Sequence, residues 1–260
     1  RVINLNILKA NMSMSILAIL ATATPTVISF AHPPINWSSL PAQFALTGGP
    51  PAEPSTGVAF NFSSGDDMVL QQSPAKSCVS GTIGLGGTGA TVTMKAEDGT
   101  LVATVAAEIT QSNVAGSNWT LWKACLPPQP ATMSGAGVTI TATCIGCANT
   151  TDESIERVVF GDVWYCGGQS NMALPLQHTL SRNISRDKIK NGVYSNIRIH
   201  GLSGNMNPNQ EWSTLLNALG DLTKDSDNSN FAAFSSTCYY FGESLTEEMM
   251  KSNGGVRRGV

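Results

Sequence analysis

From residue 59 to about residue 159, apolar residues come in short runs that alternate with polar ones and stop at clusters of Gly, Pro, Ser, Asn or Asp. Period-two alternation bounded by turn residues is the pattern of half-buried β-strands. "MVLQQ" at residues 68–72 ends at Ser73-Pro74, and "ATVTMKAEDGTLVATVAAEI" alternates on both sides of Asp98-Gly99. An Asp-Gly pair between two such runs predicts a hairpin with a type I′ turn, whose central residues both take positive φ. "NWTLWKACLP" and "GVTITATCIG" supply two more strands. Short strands of this kind build a small antiparallel sandwich or barrel.

Beyond Arg157 the pattern changes. "VVFGDVWYC" reads as a strand, a loop through Ser170 leads into a helix, and "NIRIH" at residues 196–200 is a second strand. Phe231, Phe234, Cys238, Phe241 and Leu245 then recur at three or four residues ahead of Gly254-Gly255, which predicts one amphipathic helix with a glycine stop. Strand, helix, strand, helix opens an α/β domain. Two strands do not make such a sheet, so a third is expected after Val260. Residues 32–57, with "GGPPAEP" at 48–54, read as an irregular lead-in.

Residues 12–31 carry an apolar core at 16–21 followed by small residues, the pattern of a secretory signal, and are too short to span a membrane. Residue 1 is Arg, and the first eleven residues read as upstream sequence or part of a longer leader. A buried N-terminal helix is the alternative, which Pro25 and the β-branched run at 26–28 disfavour. No other apolar stretch is long enough for a membrane span.

Composition narrows the function. With 42% apolar residues, 13% charged residues and a net charge of -3, the chain can bury a core and has no basic field for nucleic acid or an anionic membrane. Six cysteines suit an oxidising compartment, although their pairing is not readable. Asn-x-Ser/Thr triplets at Asn36, Asn61, Asn118, Asn149 and Asn183, with another at Asn11, point the same way.

The segment "GDVWYCGGQSNMALPLQ", residues 161–177, carries the candidate chemistry. Gly167 and Gly168 let the backbone turn after a strand, and a serine in a strand-to-helix turn projects into the crevice where α/β sheets bind ligands. Ser170 there is a candidate nucleophile whose own N–H can serve an oxyanion. The plainer reading is that Ser170 caps the following helix.

"GDVWYCGGQSNM" resembles the nucleophile motif of the sialate O-acetylesterase family, a branch of the SGNH-type hydrolases. "DDMVLQQSPAKSCVSGTIGLGGTGATVTM" is similar to the opening of that family's accessory β domain, and "CYYFGESL" resembles its helix before the third sheet strand. The resemblance spans residues 58–255 or so. It implies an SGNH-like α/β hydrolase domain, only its first part present at 158–260, preceded by an all-β sandwich-like domain at 58–157, with residues 1–31 a signal or upstream segment. It implies hydrolysis of acetyl esters on sugars, typically at the 9-hydroxyl of sialic acid, with Ser170 as nucleophile and no metal or other cofactor. Gly168, Gln169 and Asn171 would support the loop or the oxyanion. The expected location is the secretory pathway, outside the cell or in lysosomes.

The family's base histidine and its aspartate lie in a later Asp-x-x-His segment, a pattern these 260 residues lack. His32, His178 and His200 have no such role in it, so the 260 residues alone are expected to be inactive. A polysaccharide acetylesterase and a truncated, non-catalytic glycan binder are the alternatives. Cys144 and Cys147 have zinc-like spacing without a second ligand pair, which favours a disulfide or core cysteines. Asp66-Asp67 and residues 223–230 miss the calcium-loop spacing and read as solvated turns. Trp119 and Trp122 fit core packing better than sugar stacking.

Overall fold

A computed structural model describes residues 3–8, 57–61, 63–84, 86–111, 120–132, 136–147, 152–168, 170–201, 211–221 and 229–252. They form mixed sheets with few helices. The smaller sheet is antiparallel and four-stranded, in the order β2 (Val58–Phe60), β4 (Cys78–Ile83), β8 (Thr120–Cys125), β7 (Glu108–Gln111). The larger has eight strands, in the order β12 (Ser213–Thr214), β11 (Ile197–His200), β1 (Ile3–Leu8), β10 (Glu153–Gly167), β9 (Val138–Ile145), β5 (Gly89–Lys95), β6 (Leu101–Ala106), with β3 (Val69–Gln71) also paired to β10.

Alternation does what the sequence pattern requires. Ala90, Val92 and Met94 of β5 point inward, and with Ile140, Ala142, Val158, Trp122 and Leu126 they form one apolar core drawn from both sheets. Each large side chain so buried contributes about 1.5–3 kcal/mol. Trp122 is a core residue, its ring edge-on to Phe60 at 5.4 Å and its indole N–H donating to the Thr82 carbonyl at 3.2 Å. Trp119 lies outside the described residues. Cys78 and Cys125 face each other in the β4–β8 register and are disulfide-bonded, and Cys144 is bonded to Cys147.

The Asp98-Gly99 hairpin forms between β5 and β6 with a different turn. Only Gly99 takes positive φ, at 83°, and its N–H donates to the Ala96 carbonyl at 2.9 Å. That is a type I turn followed by a left-handed glycine, where Asp98 stays right-handed and accepts from the Thr100 N–H at 2.9 Å.

Strand β10 joins the two kinds of sheet. It runs antiparallel to β9 from Glu153 to Val158, then parallel to β3 at 159–161 and parallel to β1 at 162–167. The change falls at Arg157, which has φ of 54° at a register irregularity between Ile155 and Val158. Gly137 lies against this kink, where a Cβ would come within 2.5 Å of the Arg157 Cα. The Arg157 guanidinium is 2.9 Å from Asp66 and 3.2 Å from Asp67, and Arg198 of β11 reaches Asp67 at 3.3 Å and the Arg157 carbonyl at 2.6 Å. Asp67 is therefore a buried carboxylate between two guanidinium groups, which corrects the solvated-turn expectation for this residue, while Asp66 is exposed. Burial lowers the Arg198 pKa and Asp67 opposes that shift, while Asp67 first and Asp66 second raise that of Arg157. Residues 223–228 of the other such segment lie outside the described residues.

The α/β sheet has a third strand from an unexpected place. Ile3–Leu8 runs parallel between β10 and β11, although residues 1–31 read as signal or upstream sequence. The signal-like residues 12–31 lie outside the described residues. Ile197 and Ile199 face a helix layer of α1 (Arg182–Lys190), α2 (Leu215–Leu219), α3 (Asn230–Ala233) and α4 (Ser236–Ser252). Arg198 reaches Asp67 and His200 stacks on Trp212. The single helix expected from Phe231 onward is two helices broken at Phe234 and Ser235. Among the described residues no helix is long and apolar enough to cross a membrane.

Polar contacts fix α4 on α1. Ser185 donates to Glu243 at 2.7 Å, and Lys188 and the Tyr194 hydroxyl both donate to Glu247, at 2.8 and 2.7 Å. These bonds, Lys188 first, lower the Glu247 pKa, and Glu247 in turn raises that of Lys188.

Two outcomes are expected. Asp67→Asn, which keeps a side chain tolerant of positive φ, should cost about 3 kcal/mol in urea unfolding because it leaves Arg198 buried without its counter-charge. Adding Arg198→Met should recover most of that loss. Glu247, depressed in the folded state, stabilises above its unfolded pKa and loses this contribution as pH falls through its folded value. Its pair with Lys188 is partly exposed, at 41% and 36%, so Glu247→Gln should cost about 0.5–1 kcal/mol at neutral pH, a cost that shrinks as pH falls and vanishes once the folded carboxyl is protonated as well.

Candidate functional site

The strand carrying "GDVWYC" is set before its loop begins. The Gln71 side-chain oxygen accepts from the Val163 N–H at 3.0 Å, Gln72 bonds the Asp162 carboxylate, and the Gln72 N–H donates to the Gly161 carbonyl at 2.9 Å. The "MVLQQ" segment thus holds the strand that leads to Ser170. Further along, Trp164 meets Phe241 of α4 edge to face at 5.1 Å, and Cys166 is disulfide-bonded to Cys238 of α4 with the Cα atoms 5.9 Å apart.

After Gly167 the chain turns sharply. Gly168 has φ of 146°, and a Cβ on it would sit 3.3 Å from that of Met172. Ser170 follows with φ of 57°, exposed, as the first residue of a 3-10 turn over Ser170–Ala173. A non-glycine residue in the left-handed region costs about 1–2 kcal/mol and persists only where its surroundings hold it. Ser170 does not cap the following α-helix, because the N-cap of α1 is Ser181.

The restraint comes from the break between α3 and α4. Thr237 donates its hydroxyl to the Asn171 carbonyl at 2.9 Å, the Ser236 N–H donates to the Leu174 carbonyl at 2.8 Å, and the Leu176 N–H donates to the Phe234 carbonyl at 2.9 Å. Pro175 bridges to Ser235, whose hydroxyl is 3.5 Å from the Met172 sulfur. Asn171 is exposed and holds the loop through its carbonyl, and Gln169 lies outside the described residues. Sequence reasoning missed Ser235, Ser236 and Thr237. The polar run "SST" inside an otherwise amphipathic pattern was their signal.

The two described histidines have other neighbours. His178 ends a second 3-10 turn with its ring 3.4 Å from the Gln177 amide nitrogen, and His200 stacks on Trp212 at 4.7 Å. Asn6 of β1 is the register partner of both Tyr165 and His200. His200 is thus two strand spacings, roughly 10 Å, from β10. Among the described residues no hydrogen bond joins a histidine to Ser170. His32 lies outside them.

Ser170 is thus exposed and left-handed at the carboxyl end of a parallel strand, in a segment tied to α4 by a disulfide. Comparison with known proteins leads to a class first: the chain's curated homologues are named as esterases. They are sialate O-acetylesterases. The human and orangutan (Pongo abelii) proteins are 28% identical over 204 and 207 residues, each match covering 76% of this chain and 36% of the relative. The mouse protein is 28% identical over 208 residues, covering 78% of this chain and 36% of the relative. The match thus spans about a third of the length of these relatives. No family model matches. Among solved structures, CopC from Methylosinus trichosporium OB3b aligns at 12% identity and a TM-score of 0.27, over 42% of this chain and 94% of its own.

The strain at Ser170 is measurable. Ser170→Gly should be more stable than Ser170→Ala by about 1 kcal/mol in chemical denaturation, because glycine takes φ of 57° without penalty. Equal stabilities would mean that the residue relaxes out of the left-handed region.

Proposed function

We propose that the chain carries the nucleophile-bearing part of a sialate O-acetylesterase, acting on O-acetylated sialic acid in the secretory pathway, outside the cell or in lysosomes. In this reading residues 158–260 open an SGNH-like α/β hydrolase domain, and residues 58–157 form a sandwich-like accessory domain that precedes it. The single observation that carries the proposal is the left-handed, exposed Ser170 at the end of a parallel strand, within a Gly-Gln-Ser-Asn-Met sequence. The homologues' name supplies the substrate class, and three disulfides suit an oxidising compartment.

The chemistry is acyl transfer in two steps. The Ser170 Oγ bonds to the acetyl carbonyl carbon, the carbon–oxygen bond to the sugar breaks, and the sugar oxygen leaves with a proton. Water then attacks the acetyl-serine, releasing acetate and restoring the hydroxyl. The Ser170 N–H, with Gly168, Gln169 and Asn171 shaping the turn, stabilises the oxyanion of each tetrahedral intermediate. A histidine base of the Asp-x-x-His kind takes up and returns the serine proton, from sequence other than these 260 residues.

The test is Ser170→Ala in the enzyme expressed from its complete reading frame, assayed for acetate release from 9-O-acetylated sialic acid. A loss in kcat of at least about 10³-fold, with thermal unfolding near that of the parent, is expected. Retained turnover overturns the assignment.

A further inference from the structure

The three disulfides differ in what surrounds their sulfurs. Cys144 belongs to the core shared by the two sheets, and Cys147 packs against that core half-buried. A Cβ on Gly87 would come within 2.9 Å of the Cys147 sulfur and 3.0 Å of the Cys144 sulfur, so backbone covers this pair. Cys166 and Cys238 are buried in the core beneath the helix layer, at 7% and 1% exposure. Cys78 and Cys125 lie elsewhere. On β8 the side chains of Trp122 and Ala124 point into the core, and alternation turns Leu121, Lys123 and Cys125 outward. On that outer face Cys125 is exposed and Cys78 half-buried, and residues 73–76 and 127–128 beside the pair are exposed as well.

Strand pairing keeps the two ends of this bond together. Cys78 faces Cys125 in a ladder that runs without a register shift to the pair of Ile83 and Thr120, and just beyond it the Leu126 N–H donates to the Ser77 carbonyl at 2.8 Å. Opening the bond leaves both sulfurs opposite each other on the outer face of the sheet. We propose that the bond between Cys78 and Cys125 is a thiol-exchange site through which Cys125 takes up a low-molecular-mass thiol, an inference that does not depend on the role given to Ser170. The incoming thiolate attacks the Cys125 Sγ, the bond to the Cys78 Sγ breaks, and its electron pair leaves with Cys78 as a thiolate. One disulfide is exchanged for another, so the step consumes no oxidant or reductant. Attack falls on Cys125 because it is the more open of the two. The Cys78 thiolate, held opposite by the ladder, reverses the step when the external thiol is diluted.

The test takes the full-length chain with its disulfides formed, in mildly alkaline buffer without denaturant. Graded glutathione is added, the mixture is quenched with excess N-ethylmaleimide, and the labels are placed by peptide mass mapping. Glutathione on Cys125 with maleimide on Cys78 is expected, at a thiol concentration about tenfold or more below that which labels Cys144, Cys147, Cys166 or Cys238. The double variant Cys78→Ala, Cys125→Ala should lose this first uptake. First labelling at any of the other four positions, glutathione on Cys78 in place of Cys125, or the same uptake by the double variant overturns the proposal. So does a parent chain that takes up no thiol until its circular dichroism is lost.

Discussion

A single carboxylate, Asp67, decides where the longest strand changes company. It lies buried between Arg157 and Arg198, and a charge out of water is tolerable only while its partners stay in place. Arg157 belongs to the kink of β10 and Arg198 to β11. Moving the strand, the kink or the neighbouring sheet would separate charges in a low-dielectric setting. The position of every later residue of β10, up to the turn at Gly168, follows from that restriction.

From there the constraint passes into the loop. Two glutamines of β3 and its following residue grip β10 at Asp162 and Val163, and the helix break at Phe234 and Ser235 grips the far side of the turn. The break itself has a physical reason. A continuous helix would satisfy the Phe234 carbonyl internally, whereas the bent chain offers it to Leu176 and frees the first turn of α4 to bind the Asn171 and Leu174 carbonyls. The irregularities at Arg157, Ser170 and Ser235 are one linked system. Backbone strain of this sort persists where surroundings over-determine it.

Much of this was legible in the sequence, and the exceptions have causes. The alternating strands, the Asp98-Gly99 hairpin, the core role of Trp122 and the turn at Ser170 were readable because period and turn chemistry are local. The type of that hairpin was not, since an Asp-Gly pair serves two turn geometries that differ in which residues are central and in the sign of φ at Asp98. The burial of Asp67 was hidden because its partners lie 90 and 131 positions away. A strand at residues 3–8 was hidden for a related reason: parallel pairing is non-local and leaves no mark on composition. The helix break was concealed by apolar spacing, which continues through Phe234 as though the helix did.

The Cys166 to Cys238 bond links positions 72 residues apart, and its second partner leaves the ribosome long after the first. Until α4 has emerged, the turn at Ser170 has a strand on one side and nothing firm on the other, and until oxidation has occurred the two are held by hydrogen bonds alone. The maturation of the site is thereby tied to the redox state of the compartment in which synthesis finishes. Material made in a reducing cytosol would hold the turn through the Ser236 and Thr237 hydrogen bonds alone, so the choice of production host determines whether the strand and α4 are also joined covalently beneath it.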